Sequence, residues 1–230
     1  LCLRSCSFIN HSMSMDMFQI ISVIGRGEFG KVLLCQKFDT DEVVAIKTVH
    51  KKRLFQENKI HTILTERSIL SKINNPFIVS LKYAFQTVSK FYLCLTYAAG
   101  GDLFHLLDHG PIPLHDIKLY VAEISIALNE LHENGIIYRD LKPENILFNE
   151  KGHIRLTDFG LSKIMDKYSE TRTFCGTSNY IAPEIIQRKN YGVEVDWWSL
   201  GVVLYEMMFG YTPFQSSNNQ KVYINIIKNE

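Results

Sequence analysis

Four side chains in one short region carry the chemistry available to this sequence. Asp140, Lys142 and Asn145 lie in the string YRDLKPENILF at 138 to 148, and Asp158 follows in LTDFG at 156 to 160. Two carboxylates, an amide and an ammonium are what it takes to move a phosphoryl group from a magnesium-bound nucleotide to a hydroxyl. That reaction depends on positioning and charge neutralisation more than on covalent chemistry. An Asp taken alone in so turn-rich a stretch would more often be a turn or cap residue. The complete string, apolar flanks included, outweighs that reading.

The two strings resemble the catalytic loop and the metal-binding loop of the eukaryotic protein kinases. The resemblance implies that Asp140 accepts or orients the proton of the attacking hydroxyl, while Asn145 and Asp158 hold the Mg2+ ions that bridge the phosphates of ATP. Lys142, inside DLKPEN, is similar to the serine/threonine type. Upstream, Gly25, Gly27 and Gly30 show G-x-G-x-x-G spacing, which dinucleotide-binding proteins also use. In that fold a helix opens at the third glycine. Here Lys31-Val32-Leu33-Leu34 continues as strand and EVVAIKTV is strand again, so a third reading, a nicotinamide dehydrogenase, fails and a phosphate-covering flap fits.

By the same resemblance Val32 and Ala45 roof the adenine, and Lys47 in VAIK pairs the α- and β-phosphates. Glu66, on a helix predicted over roughly 57 to 73, closes the Lys47 ion pair. Leu95 guards the back of the pocket, the Thr96 carbonyl and Ala98 N–H bond the adenine edge, and Leu147 floors it. The family usually has Glu where Thr96 stands, a change that leaves those main-chain bonds untouched. Leu70, Leu81, Tyr138 and Phe159 would form an internal apolar column.

The switch lies between DFG and Ala182-Pro183-Glu184. TRTFCGT resembles the activation segment of the AGC group, the cyclic-nucleotide-dependent and protein-kinase-C-like kinases. Thr173 matches the group's regulatory phosphosite, and a phosphate there, carrying about −1.5 to −2 charge, would be clamped by Arg139. Thr177 matches the threonine near Asp140 and Lys142, and Asp196 in DWWSLG the aspartate that holds the catalytic loop from beneath. Asp102, Glu144 and Glu206 match positions that meet Arg upstream of the target residue. Two departures stand out: Ser178-Asn179 replace the group's Pro-Glu, and Thr62 stands where a phosphate-binding histidine often does, with His61 one position off.

The expected fold class is α+β, a two-lobed protein-kinase fold. A weakly ordered leader (1–17) precedes an N-lobe (18–97) with a small antiparallel sheet and one main helix, then a mostly helical C-lobe (98–230). Two helical patterns dominate the second part: an amphipathic one over 114 to 134, and WWSLGVVLYEMMFG, hydrophobic nearly all round and expected to be buried. Lys51-Lys52-Arg53 reads as a solvated connector. The family's last helices, the arginine that pairs with Glu184 and the AGC tail have no counterpart in these residues, so lower stability and weak activity are expected.

Composition sets limits on partners. With 46% hydrophobic residues, 21% charged and a formal charge of +1, the chain can bury a core and offers no basic face for nucleic acid. No run suits a membrane span. Five scattered cysteines without metal-type pairs point to a reducing compartment, cytoplasmic with nuclear access. The resemblance implies protein substrates, Arg-rich before the target residue, an upstream activating kinase and a monomeric state. A non-catalytic kinase-like module that acts by binding is the other open reading: intact Lys47, Asp140, Asn145 and Asp158 argue against it.

Overall fold

The computed structural model describes residues 13–27, 29–165 and 170–228. The chain divides into two compact units. One comprises the described residues up to Lys72 together with Val79–Tyr97, and the other Ile73–Ile78 together with the described residues from Ala98.

The first unit is a five-stranded antiparallel sheet in the order β1-β2-β3-β5-β4, formed by β1 (Phe18–Gly27), β2 (Gly30–Lys37), β3 (Val43–His50), β4 (Leu81–Gln86) and β5 (Lys90–Thr96). The central strands β3 and β5, rich in β-branched and aromatic residues, are buried almost throughout, whereas most of β1 is exposed. Phe18, Cys35, Val44, Ile46, Phe85, Tyr92 and Cys94 make one cluster, and Phe85 and Tyr92 stack with ring centroids 4.7 Å apart. Met13, Met15 and Met17 pack against this cluster, and residues 1–12 of the expected leader lie outside the described residues.

Two helices accompany the sheet, α1 (Lys51–Gln56) and α2 (Ile60–Lys72). The expected single helix from 57 is thus preceded by a separate short one, which the basic run opens; Lys52 and Arg53 are exposed, but Lys51 is not a solvated connector residue. Lys51 Nζ donates to Gln86 Oε1 and to the Thr87 carbonyl, each at 2.7 Å, and lies 4.7 Å from the centre of the Phe91 ring. Burial pulls its pKa down. The lysine stem covers apolar surface while its head closes the end of β4, which a composition count cannot reveal.

The second unit is built on two helices in contact, α4 (Leu114–Glu133) and α6 (Glu194–Phe209), with α3 (Leu103–Asp108), α5 (Pro183–Ile186) and α7 (Asn219–Lys228) completing the helices among the described residues. Ile117, Ile124, Ala127, Leu128 and Leu131 form the buried stripe of α4 at helical spacing. Gly135, at φ 68°, takes the left-handed turn just beyond its end. Gly210, at φ 79°, does the same for α6. The expectation that α6 is buried does not hold all round: Trp197, Met208 and Phe209 are 40%, 51% and 53% exposed. Its apolar residues are too many for one neighbour, and α4 covers a single face.

Small strand pairs carry the loops of interest. β7 (Ile146–Phe148) and β8 (Ile154–Leu156) form a hairpin, and β6 (Ile136–Ile137) pairs with β9 (Lys163–Ile164). Glu123 of α4 pins the hairpin, since its carboxylate accepts the Ile154 N–H at 3.0 Å and meets His153 Nδ1 at 2.6 Å. Gly100 lies so close to the hairpin that an added Cβ would come within 2.8 Å of the Asn149 carbonyl oxygen.

The glycines of the flap differ in what holds them. A Cβ on Gly30 would fall 1.7 Å from the Thr48 carbonyl oxygen, whereas one on Gly27 would meet nothing within 4 Å. Gly30→Ala is therefore expected to cost about 2–3 kcal/mol or more through overpacking. Gly27→Ala should leave stability within about 0.5 kcal/mol. Urea unfolding of both variants would check the contrast.

Candidate active site

The catalytic-loop backbone rests on one carboxylate. Asp196, in the first turn of α6, is fully buried; its Oδ1 accepts the Arg139 N–H at 2.8 Å, and its Oδ2 accepts the Tyr138 N–H at 2.9 Å. His132 Nε2 reaches the same Oδ2 at 2.8 Å from the last turn of α4. The loop is bent as it leaves this anchor, with Arg139 at φ 67°. A non-glycine residue there costs on the order of 1–3 kcal/mol, which the bonds to Asp196 offset. Ser162 Oγ donates to the Tyr138 carbonyl at 3.1 Å and fixes the loop from its other side.

Beyond the bend, Asp140 faces a set of donors. Thr177 Oγ1 donates to Asp140 Oδ1 at 2.8 Å, Lys142 Nζ lies 3.0 Å from Oδ2, and Asn145 Nδ2 donates to Oδ2 at 3.0 Å and to the Asp140 carbonyl at 2.8 Å. Lys142 Nζ also donates to Thr177 Oγ1 at 3.0 Å, so the threonine hydroxyl directs its own proton to Asp140. The carboxylate is 7% exposed and held from three directions. Both hydrogen bonds of Asn145 use its nitrogen, which leaves its oxygen as the side on which a cation would be held.

Asp158 is carried beside this group by the hairpin. Ile146 pairs with Leu156, and the Thr157 N–H donates to the Asn145 carbonyl at 3.1 Å, so Asn145 and Asp158 leave the same open end of β7 and β8. Asp158 has φ 57°, a second bent residue in a region where bends tend to mark function. Tyr138 and Phe159, two members of the expected column, meet edge to face at 5.2 Å.

The first unit holds its own cluster. Lys47 Nζ donates to Glu66 Oε1 at 2.7 Å and Oε2 at 2.9 Å, with the glutamate side chain 3% exposed and the lysine 23%. β3 supplies Lys47 and α2 supplies Glu66, and the register places Val32 opposite Lys47 and Ala45 opposite Leu95. Thr96 ends β5, where its hydroxyl is tied to the Ser80 backbone by two bonds of 3.1 Å. Gly25 sits across from Val32 on the flap hairpin. Of the remaining expected residues, Ala98 and Leu147 belong to the second unit, where Leu147 bridges to Asp102.

Around Thr173 the structure assembles more than the sequence indicates. Arg139 Nε donates to the Leu161 carbonyl at 2.7 Å and its Nη1 to the Tyr191 hydroxyl at 3.3 Å. Lys163 Nζ donates to Thr171 Oγ1 at 2.8 Å, and that oxygen is 3.2 Å from Thr173 Oγ1. Each cation thus reaches Thr173 through one intervening hydroxyl, Lys163 through Thr171 and Arg139 through Tyr191. Lys163 and His132 escape a reading by motif; the signal available for His132 was a polar residue beside Leu128 and Leu131 on the buried stripe of α4. Lys163 offers no comparable signal.

A family model described as the protein kinase domain matches residues 18–230. The chain belongs to the protein kinase family. Over 213 residues it is 47% identical to a RAC family serine/threonine-protein kinase homolog from Dictyostelium discoideum, an alignment covering 91% of this chain and 48% of that protein. It is 46% identical over 218 residues to the serine/threonine-protein kinase gad8 of Schizosaccharomyces pombe, covering 94% and 38%. With AtPK2/AtPK19 of Arabidopsis thaliana it shares 43% over 228 residues, covering 99% and 48%. The kinase chain spans less than half the length of these relatives. They are serine/threonine kinases of AGC type, the group whose activation segment TRTFCGT resembles.

For this kinase domain, loss of Asp196 is the severest single change expected in the catalytic loop. Asp196→Ala would strand two backbone N–H groups and His132 in a buried place, at a cost of about 3 kcal/mol or more. Thermal unfolding should show it, with loss of the compact loop visible as faster amide exchange at Tyr138 and Arg139.

Proposed function

We propose that this chain transfers the γ-phosphate of Mg-ATP to serine or threonine hydroxyls of protein substrates. The observation that carries the reading is the Asp140 carboxylate, almost wholly buried and held by Thr177, Lys142 and Asn145. Held so, Asp140 is ready to orient an incoming hydroxyl and take up its proton. Lys142 supplies fixed positive charge beside it, where negative charge would gather on the transferred group. Lys47, kept in place by Glu66, would hold nucleotide phosphates in the same way. Gly27, which the fold itself does not require to be glycine, allows main-chain N–H groups to approach them. Val32, Ala45, Thr96, Ala98 and Leu147 are the residues assigned to the adenine.

The donor set fits magnesium. Among the described residues no group of three or more His, Cys, Asp or Glu side chains could hold a metal ion. Magnesium takes one or two protein ligands and fills its shell with phosphate and water, so Asp158 and the Asn145 oxygen would suffice. When bound, it would neutralise phosphate charge. Thr173 is the proposed regulatory site, phosphorylated by an upstream kinase and read by Arg139 and Lys163. The scattered thiols support a cytoplasmic setting with nuclear access, and no helix among the described residues is long and apolar enough to cross a membrane.

Substrates rich in Arg before the target residue fit the acidic residues of the second unit. Glu206 accepts the Tyr180 hydroxyl at 2.7 Å. Burial raises its pKa, the Tyr180 bond pulls it back, and the Glu144 charge raises it again. A carboxyl with a raised folded value costs stability once pH exceeds that value, and costs nothing below its ordinary value of about 4.3. Asp102 also caps α3 through the His105 N–H at 2.8 Å.

Two measurements test the proposal. Asp158→Ala should abolish peptide phosphorylation, a fall of about 1000-fold or more, with stability nearly unchanged; phosphate transfer that survives this change would refute it. Glu206→Gln should raise the KM of an Arg-containing peptide about tenfold. It should also raise the melting temperature near neutral pH, an advantage that disappears below about pH 4.

A further inference from the structure

Tyr191, in the turn that leads to α6, is 1% exposed, and its ring belongs to the core cluster of Ile137, Ile181, Ala182, Ile185 and Val195. Only the hydroxyl leaves this cluster, and it does so at a crowded point. It donates to the Thr173 carbonyl at 2.7 Å, accepts from Arg139 Nη1 at 3.3 Å and lies 3.9 Å from Cys175 Sγ. The backbone makes the same junction, because Thr171 and Tyr191 exchange both N–H to carbonyl bonds at 3.0 Å. One donor and two acceptor lone pairs are all that a phenol has, so the group is used to capacity. Burial pushes its pKa up while Arg139 pulls the other way, so the proton stays on the oxygen that donates to Thr173.

We propose that Tyr191 is a positioning residue, whose hydroxyl ties the Thr173–Cys175 stretch to Arg139 and so to the catalytic loop before any phosphate is added. Arg139 is the neighbour of Asp140, and its own backbone is held by Asp196. The hydroxyl therefore joins the activation segment to the loop that carries the catalytic carboxylate by a route of two hydrogen bonds. A phosphate on Thr173 would supply a second, stronger link to the same guanidinium and to Lys163. Phosphorylation then adds to a standing connection, and the two links back each other up.

The hydroxyl alone is removed in Tyr191→Phe, which keeps the ring in its core. In the unphosphorylated chain, amide exchange across Thr171–Thr177 should quicken about tenfold, the factor expected for one buried hydrogen bond, with α4 unaffected. The kcat for a peptide should fall about tenfold in that form and by no more than about twofold once Thr173 is phosphorylated, with the KM for ATP unchanged. A purely structural tyrosine would lower the melting temperature and reduce kcat equally in both forms. Unchanged exchange, or an equal loss of kcat in both forms, overturns the proposal. The kinetic part rests on the phosphotransfer reading. If the unaltered chain transfers no phosphate, that reading fails on its own, and exchange still decides the role of Tyr191.

Discussion

A buried carboxylate facing three donors is the constraint on which the second unit depends. Asp196 has no solvent to lean on, so its charge is stabilised by the Tyr138 and Arg139 amides and by His132. The same bonds hold the backbone at the left-handed bend of Arg139, beyond which the buried Asp140 meets Thr177 and Lys142. Charge, bend and the placement of Asp140 are one arrangement here. A hydrophobic residue at 196 could pack against α4 but could not hold the loop, the role that the charge at the buried start of this apolar helix fills.

The loops that matter are tied to rigid elements at short range. The hairpin of β7 and β8 is fixed to α4 through Glu123 and packs closely on the backbone at Gly100, and it delivers Asp158 next to Asn145 within two strands of three residues each. Such brevity leaves little room for the carboxylates to drift. In the first unit the equivalent economy is the Lys47–Glu66 pair, which joins a central strand to a helix. The glutamate there is almost wholly buried, so the position of α2 and the placement of the lysine head are linked.

Much of this was legible in the sequence, and the reasons are specific. The strings at 138 to 148 and 156 to 160 combine side chains rarely found together, so Asp140, Lys142, Asn145 and Asp158 stand out as candidates from the sequence alone. Strands β1 to β3 follow from β-branched runs around a glycine-rich turn, and the end of α4 from Asn134-Gly135. What escaped were contacts between residues that are individually ordinary. Lys51 looked like one of three cations in a solvated connector but is the anchor of α1, and Tyr191 drew no reading because nothing local marks where its hydroxyl points. The exposed side of α6 escaped for another reason: hydrophobic content reports how much a helix could bury, whereas its neighbours decide how much it does.

One accident of placement has an optical consequence. The chain has two tryptophans, Trp197 and Trp198, and they follow Asp196 directly. Trp197 lies edge-on to His132 at 5.4 Å, and Trp198 stacks on Phe214 at 5.7 Å. Indole emission from this protein therefore reports on the ground beneath the catalytic loop, and a loosening confined to the sheet unit would be dark in that channel.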